Sequence, residues 1–152
     1  MTDPQLTPLQ SPFTASKVSN LRLGERVSVK GSLIACRGDA LKALSADGVW
    51  MKGLSGLGFY NAAPLVIGRD GSWSVCSAGP SVTARSESEL VSLIKRNAIH
   101  ILLGQGAMGR DMCRACAEQK CVYLQTIGLA GASIAKAITD VDHIHSGRSV
   151  IS

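Results

Sequence analysis

Four polar side chains that can do chemistry lie at glycine-marked or proline-marked turns of the chain. They are Arg37, Ser81, Arg85 and Gln105. A guanidinium binds a carboxylate through a planar fork of hydrogen bonds, so two arginines can hold the two ends of a dicarboxylate. A hydroxyl such as that of Ser81, placed beside positive charge and backbone N–H donors, can carry a proton. The pattern therefore indicates an anion site with a proton-carrying hydroxyl.

Each of these residues also has an ordinary structural role open to it. Arg37 and Arg85 can form surface ion pairs, and Ser81 and Thr83 can cap the helix that follows them. The loop around Gln105 is a weak signal alone, because the chain has neither a dinucleotide-binding fingerprint nor a phosphate-binding loop with its lysine. The spacing by itself leaves both interpretations open.

The hydrophobic pattern predicts the elements that position these residues. Alternating apolar residues over 21–34 predict strands, and residues 39–47 predict a helix, which places Arg37 at a strand-to-helix junction. The Asp70-Gly71 pair predicts a hairpin between strands over 65–67 and 73–77. Because a helix and a strand link the Ser81 turn to the Gln105 loop, we expect the two loops to lie close together.

The second half of the chain is predicted to alternate helices and strands. Ser86 and Glu89 match a capping box at the start of a helix. The apolar run 98–103 predicts a strand buried on both sides. The remaining predicted elements are a helix over 108–119, a strand over 121–126 and a small-residue helix over 130–138. The tail after them shows no clear periodicity.

The length and composition indicate one folded domain. The chain has 152 residues, of which 45% are hydrophobic, enough for a substantial core. Three prolines interrupt the first segment, which holds few large apolar side chains, so residues 1–18 are predicted to form a flexible N-terminal arm. A single domain is predicted over residues 19–152.

The charge distribution and the N-terminal sequence limit the kinds of binding partner that we expect. The net charge is +5, but the 16 basic residues are scattered and only 4% of residues are aromatic, so nucleic acid is not the predicted partner. The N-terminus lacks a signal-peptide pattern, and no apolar run is long enough to span a bilayer. We expect a cytoplasmic protein with reduced thiols that binds an anionic small molecule, without a membrane.

Cysteines and histidines are the candidate metal ligands. Cys113, Cys116 and Cys121 have a short spacing that suits zinc or an iron-sulfur cluster, but no fourth ligand lies nearby, so buried thiols are the favoured interpretation. His143 and His145, near the chain end, are interpreted as solvated side chains. His100, inside an apolar run, is interpreted as a core histidine with satisfied hydrogen bonds. No metal site is predicted in this chain.

Five short motifs occur in a particular order. They are Cys36-Arg37-Gly38-Asp39, Tyr60-Asn61-Ala62-Ala63-Pro64, Gly79-Pro80-Ser81-Val82-Thr83-Ala84-Arg85, Gly104-Gln105-Gly106, and Val122-Tyr123 followed by Gly128-Leu129-Ala130-Gly131-Ala132. In this order they resemble the β subunit, or C-terminal domain, of the class I iron-sulfur hydro-lyases, which are fumarate hydratase and L(+)-tartrate dehydratase. The resemblance covers about residues 21–138.

The resemblance implies an α/β fold, a swivelling β/β/α domain with a mixed sheet and flanking helices. Such a domain closes over an iron-sulfur cluster held by a separate α subunit or domain, so this chain would bind no cofactor itself. It would act in an oligomer with the cluster-bearing α subunit, hydrating or dehydrating a hydroxy dicarboxylate of the fumarate, malate or tartrate type. By position, Arg37 and Arg85 would bind substrate carboxylates with Gln105 nearby, and Ser81 would replace the family's catalytic threonine.

Three departures from the family's motifs support a second hypothesis. The lysine of the family's Gly-Lys-Gly loop is Gln105, its histidine falls on Leu41, and the methionine after the second arginine is Ser86. These changes keep an anion pocket but remove much of the family's usual catalytic set. The alternative is therefore a non-catalytic anion-binding or regulatory module that keeps the fold.

Overall fold

A mixed six-stranded sheet organises the chain in a computed structural model, which describes residues 6–47, 55–69, 72–126, 131–145 and 148–151. The strands are β1 (Thr7–Gln10), β2 (Val27–Lys30), β3 (Leu33–Cys36), β4 (Gly58–Asn61), β5 (Leu65–Arg69), β6 (Ser72–Ser77), β7 (Ile101–Gly104), β8 (Val122–Gln125), β9 (Val141–His145) and β10 (Arg148–Ile151). The helices are α1 (Ala15–Val18), α2 (Gly38–Asp47), α3 (Glu87–Arg96), α4 (Arg110–Gln119) and α5 (Gly131–Ala137), and a 3₁₀ helix spans Thr83–Ser86.

The six strands of the main sheet run in the order β8-β7-β4-β3-β10-β9. The first four are parallel to one another, whereas β10 is antiparallel to both β3 and β9. Two smaller pairs lie beside this sheet, a parallel pair of β1 with β2 and the antiparallel β5–β6 hairpin. The mixed sheet with flanking helices confirms the predicted α/β class.

One face of the sheet is covered by three helices. Their apolar residues pack on Ile34, Phe59 and Leu102, which share a face because they are register partners in the neighbouring strands β3, β4 and β7. The helical residues in this core are Leu41 and Leu44 of α2, Leu90, Leu93 and Ile94 of α3, and Met112, Ala115 and Cys116 of α4. This apolar core holds helices α2, α3 and α4 against the parallel strands.

The other face is covered by the hairpin, α5 and the N-terminal segment. Ala35 and Tyr60 of the sheet pack with Val66 and Val75 of the hairpin and with residues of α5. Ile101 packs with three buried side chains of the N-terminal segment, Leu9, Phe13 and Val18. Both layers of the fold are therefore built on one central sheet.

The N-terminal segment differs from the flexible arm that the sequence predicts. Residues 7–10 pair with β2, and Phe13 is only 1% exposed. Pro8 is compatible with this pairing because a proline can occupy an edge strand, where its missing N–H costs little. Burial of the apolar side chains stabilises this segment despite its prolines, so residues 6–18 pack against the sheet.

Most predicted elements are confirmed, with ends shifted by a few residues. The β5–β6 hairpin forms as predicted, and its Asp70-Gly71 turn lies outside the described residues. The tail, in contrast, contains two strands that its sequence pattern does not predict, and β10 inserts between β3 and β9. The backbone of His143 and His145 lies in β9, but their side chains fall outside the described residues. No helix of the described residues has the length and apolar character needed to cross a membrane.

The predicted capping box at α3 is wrong, although the helix begins where it indicates. Ser86 is the N-cap residue, but its side chain makes no capping hydrogen bond. Its backbone angles, φ −130° and ψ 25°, are not those of the extended N-cap that a capping box requires, because the 3₁₀ helix runs directly into α3.

Glu87, in the first turn of α3, instead caps the neighbouring helix α4. Its carboxylate accepts hydrogen bonds from the N–H of Gly109 at 2.9 Å and from the N–H of Met112 at 3.1 Å. A Cβ on residue 109 would lie 2.5 Å from both carboxylate oxygens, so this contact requires glycine at that position. The negative charge also lies favourably at the positive end of the helix dipole.

We expect Glu87→Ala to lower the free energy of unfolding by about 1–3 kcal/mol, because it removes two charge-assisted hydrogen bonds at the N-terminus of α4. Urea denaturation of the chain measures this change. Glu118→Ala is the matched control, since Glu118 is exposed near the other end of the same helix and should change the value by less than about 0.5 kcal/mol. Equal effects of the two substitutions would contradict the capping role.

Candidate functional site

A cleft of about 430 Å³ lies beside the carboxyl ends of β3 and β4. Its lining residues are Arg37, Gly38, Ala63, Ser77, Gly79, Pro80, Ser81, Val82, Arg85 and Ser86. Three of the four predicted site residues, Arg37, Ser81 and Arg85, therefore line one cavity. The carboxyl ends of parallel strands are a common place for ligand sites in α/β proteins.

Arg37 reaches the cleft because the chain turns sharply from β3 into α2. Residue 38 begins the helix with φ +58°, a left-handed backbone conformation that favours glycine. The carbonyl of Arg37 then accepts the N–H of Leu41 at 3.4 Å, in the first turn of the helix. The predicted strand-to-helix junction is confirmed, and it places a guanidinium at the mouth of the cleft.

The backbone of Ser81 is held from two sides. Its N–H donates to the carbonyl of Asn61 at 2.7 Å, and its carbonyl accepts the N–H of Gln105 at 3.2 Å. The carbonyl of Gln105 in turn accepts the N–H of Thr83 at 2.9 Å. These bonds join the Ser81 turn to the end of β4 and to the loop after β7, which confirms that the two predicted loops lie together.

Side-chain hydrogen bonds also hold the Ser81 turn and the Gln105 loop in place. The hydroxyl groups of Thr83 and Tyr123 are 2.8 Å apart, and the Tyr123 hydroxyl donates to the carbonyl of Gly106 at 2.9 Å. The Thr83 side chain is fully buried and pairs with Tyr123, and no side chain caps the 3₁₀ helix, whose N-cap residue is Val82. The capping role considered for Ser81 and Thr83 is therefore not seen.

The two arginines of the cleft are exposed side chains. Among the residues that the structure describes, neither guanidinium forms an ion pair. The alternative role as surface ion pairs is thus not seen in the described part of the chain. Both positive charges remain directed to solvent at the cleft, where they are available to an anion.

Gln105 is placed differently from the other three predicted site residues. It is half-buried and does not line the cleft, but its backbone N–H and carbonyl bind Ser81 and Thr83. Leu41, where the motif resemblance leads us to expect the family's histidine, is fully buried in the core between α2 and the sheet. Neither residue brings a charged or titratable group to the cleft.

Two residues of β4, Tyr60 and Asn61, support the site and are missed as site residues by the sequence analysis. The Tyr60 hydroxyl donates to the carbonyl of Ala78 at 2.5 Å, just before the Gly79-Pro80 turn. Asn61 accepts the Ser81 N–H, as described above. Their only sequence signal is that both belong to one of the five motifs.

Burial raises the pKa of Tyr60 to about 12 and also raises the pKa of Tyr123. The folded state therefore holds these phenolic protons more tightly than the unfolded state, where the ordinary value is 10.0. The resulting stability is fully present below about pH 10 and is lost as the pH rises towards about 12. We expect the urea midpoint to fall over this range, and tyrosinate absorbance to show less ionised tyrosine near pH 10 in the folded chain than in the urea-unfolded chain. A normal tyrosine titration in a chain with native circular dichroism would contradict this.

Cys116, Cys121 and His100 have hydrogen-bond partners within the fold. The hydrogen bond between the Cys116 and Cys121 thiols lowers the pKa of Cys116, and the same bond together with burial raises the pKa of Cys121. Cys113 is exposed on α4. His100 is half-buried, and its Nδ1 lies within hydrogen-bonding distance, 3.1 Å, of the carbonyl oxygen of Lys120. Within the described ranges, no group of three or more histidine, cysteine or acidic side chains could hold a metal ion.

The sequence matches the family model described as Fumarase C-terminus over residues 3–147. A Geobacillus stearothermophilus protein assigned as a class I fumarate hydratase is 30% identical over 137 residues, which cover 90% of this chain and 26% of that protein. The L(+)-tartrate dehydratase subunit beta of Escherichia coli is 26% identical over 144 residues, which cover 90% of this chain and 69% of that subunit. A Methanocaldococcus jannaschii protein assigned as the same subunit is 25% identical over 137 residues, which cover 88% of this chain and 70% of that protein. The chain thus spans about a quarter of the first relative's length, and it belongs to the fumarase C-terminus family.

Proposed function

We propose that this chain is a β-type subunit of a hydro-lyase that reversibly hydrates or dehydrates a hydroxy dicarboxylate of the fumarate, malate or tartrate type. The observation that carries the proposal is the convergence of Arg37, Ser81 and Arg85 on one cleft, although they come from separate parts of the sequence. The names of the relatives, fumarate hydratase and tartrate dehydratase, supply the class of reaction.

The proposed roles follow from the chemistry of the three side chains. Each guanidinium forms a bidentate pair with one carboxylate, so the two negative charges of the substrate are neutralised. The positions of the two guanidinium groups also set the distance between carboxylates that a substrate must have. Ser81 lines the same cleft with a hydroxyl that carries a proton to or from the bound substrate. The turn that holds Ser81 is fixed by hydrogen bonds to two strands' ends, so the hydroxyl does not have to be ordered during the reaction.

The proposal assigns the iron-sulfur cluster to a partner α subunit. The proposal gives the cysteines no cluster role, because Cys113 is exposed, whereas Cys116 and Cys121 are buried free thiols that share a hydrogen bond. The relatives from Escherichia coli and Methanocaldococcus jannaschii are themselves named as beta subunits. We therefore propose an oligomer of this chain with a cluster-bearing α subunit in the cytoplasm, with the cleft of this chain facing its partner.

The test is co-expression with a candidate α chain from the same genome under anaerobic conditions, followed by assays with fumarate, malate and tartrate. We expect a stable complex that is active on at least one of these substrates, and no activity in the Ser81→Ala/Arg85→Ala double variant. Activity that survives in the double variant would refute the assigned site. Failure to form any complex would refute the role as a subunit.

A second candidate function is a non-catalytic module that binds a dicarboxylate or another anion. Gln105 and Leu41 favour it, because neither residue brings the charge or the imidazole of the family to the cleft. This module would bind tartrate or malate through Arg37 and Arg85 without turning it over. Calorimetric binding to the chain alone, together with inactivity of the complex, would support it over the hydro-lyase.

A further inference from the structure

Ser86 is a helix N-cap residue whose hydroxyl does not cap its helix. A serine at this position usually accepts a hydrogen bond from a backbone N–H of the first turn. In this chain the 3₁₀ helix runs directly into α3, and the Ser86 side chain makes no capping hydrogen bond. Its hydroxyl also has no other hydrogen-bond partner among the residues that the structure describes. The described part of the fold therefore does not use the polar group of this residue.

Ser86 instead lines the cleft, directly after Arg85 in the sequence. It is half-buried, so its hydroxyl is open to water when the cleft is empty and to a ligand when the cleft is filled. Ser81, the proposed proton carrier, lines the same cleft and belongs to the same short segment of chain. A ligand whose carboxylate binds Arg85 therefore places its neighbouring carbon atoms within the part of the cleft that this segment lines.

The chemistry of dehydration defines which ligand hydroxyl Ser86 can serve. Dehydration of a hydroxy dicarboxylate breaks the C–O bond on one inner carbon and the C–H bond on the other. The C–H electron pair forms the C=C bond, and the leaving hydroxide combines with the proton to give water. When each inner carbon carries a hydroxyl, the carbon that loses its proton keeps its hydroxyl, and the product is an enol that tautomerises to a 2-oxo dicarboxylate. The retained hydroxyl therefore lies on the carbon that Ser81 serves, next to the segment that contains Ser86.

We propose that Ser86 is a specificity-determining residue of the cleft, and that its hydroxyl binds the hydroxyl that the substrate retains. The cleft then favours a dicarboxylate with a hydroxyl on each inner carbon, of the tartrate type, over one with a single hydroxyl. This inference rests on the proposed function. A serine hydroxyl both donates and accepts hydrogen bonds, so it pairs with a ligand O–H in either direction. Because the position is half-buried, water replaces a missing ligand hydroxyl at modest cost, and the selectivity is moderate.

Ser86→Ala should change the choice between substrates. In the α–β complex we expect kcat/KM for L(+)-tartrate to fall by about 3- to 10-fold, because one neutral hydrogen bond to the substrate is lost. The value for malate should stay within about twofold, because its only hydroxyl is the one that leaves. Ser86→Thr keeps a hydroxyl and should retain the preference for tartrate. Ser88→Ala is the matched control, since Ser88 is exposed in the first turn of α3 and does not line the cleft, and it should leave both values within about twofold.

Two further measurements separate this role from a structural one. Ser86→Ala should leave Tm unchanged, because the substitution removes no capping hydrogen bond. Ser77 also lines the cleft and is half-buried, but it belongs to β6, so Ser77→Ala should not produce the loss that is specific to tartrate. Equal losses for tartrate and malate in Ser86→Ala, with or without a lower Tm, would overturn the assignment. A tartrate-specific loss in Ser77→Ala instead of Ser86→Ala would also overturn it.

Calorimetric binding to the chain alone separates failure of this inference from failure of the proposed function. L(+)-tartrate has two equivalent ends and presents a hydroxyl to Ser86 in either orientation, whereas succinate has no hydroxyl. We expect Ser86→Ala to raise the Kd for tartrate by about 3- to 10-fold and to leave the Kd for succinate within about twofold. If the wild-type complex is inactive on every substrate, the hydro-lyase assignment fails, and this comparison still tests Ser86. Equal changes for both ligands, or no binding of tartrate to the wild-type chain, would overturn the inference.

Discussion

Arg85→Ala should lower kcat/KM for the dicarboxylate substrate of the α–β complex by about two orders of magnitude. A bidentate guanidinium–carboxylate pair in a partly enclosed cleft contributes about 2–5 kcal/mol when one partner is truncated, and much of that cost is the carboxylate left unpaired. Arg85→Lys should recover only part of the loss, because an ammonium group cannot form the planar fork. Steady-state kinetics of the purified complex measure both effects.

The control for this prediction is Arg114→Ala, which removes another exposed arginine from α4, outside the cleft. It should leave kcat/KM within about twofold, because surface substitutions of this kind have small effects. A second comparison uses a four-carbon substrate analogue that lacks one carboxylate. If Arg85 binds that carboxylate, Arg85→Ala should no longer penalise the analogue. An equal penalty for both compounds would contradict a direct contact.

Phe13→Ala should lower the free energy of unfolding by about 3–5 kcal/mol, which is a large fraction of the stability of a small domain. Phe13 is 1% exposed and packs with Leu9, Val18 and Ile101 on one face of the main sheet. The substitution leaves a cavity of aromatic size that its neighbours cannot fill. Urea denaturation followed by circular dichroism measures the change.

Leu6→Ala is the matched control for Phe13→Ala. Leu6 belongs to the same segment but is 47% exposed, so its truncation should cost less than about 1 kcal/mol. A flexible arm would give small and similar values for both variants, whereas a packed segment gives a large difference. Equal effects of the two substitutions would therefore support the flexible arm that the sequence predicts and contradict a packed segment.

The parts of the fold that the sequence predicts are those set by local pattern. Helices α2 to α4, strands β7 and β8 and the β5–β6 hairpin follow from apolar periodicity and turn residues, which act over a few positions. The N-terminal pairing and the tail strands depend on distant partners. Strand β10, for example, is stabilised by β3 from the opposite end of the chain, and its own four residues give no sign of this.

Part of the candidate site could also be predicted from the sequence. Arg37, Ser81 and Arg85 stand next to glycine or proline turns and carry groups of obvious chemistry, and the structure brings them to one cleft. Asn61 could not be found this way, because an asparagine just before small residues and a proline is also typical of an ordinary turn. Its complete burial and its hydrogen bond to the Ser81 turn are properties of three-dimensional packing.

Gln105 supports the cleft through its backbone hydrogen bonds, whereas its side chain adds no charge to the cleft. The N–H and carbonyl of this residue hold the Ser81 turn, and any amino acid other than proline supplies the same two groups. Side chains at position 105 can therefore be exchanged during evolution without displacing the serine. Because Gln105 contributes to the cleft through its backbone and does not line it, the turn that carries Ser81 is insensitive to the side chain at this position.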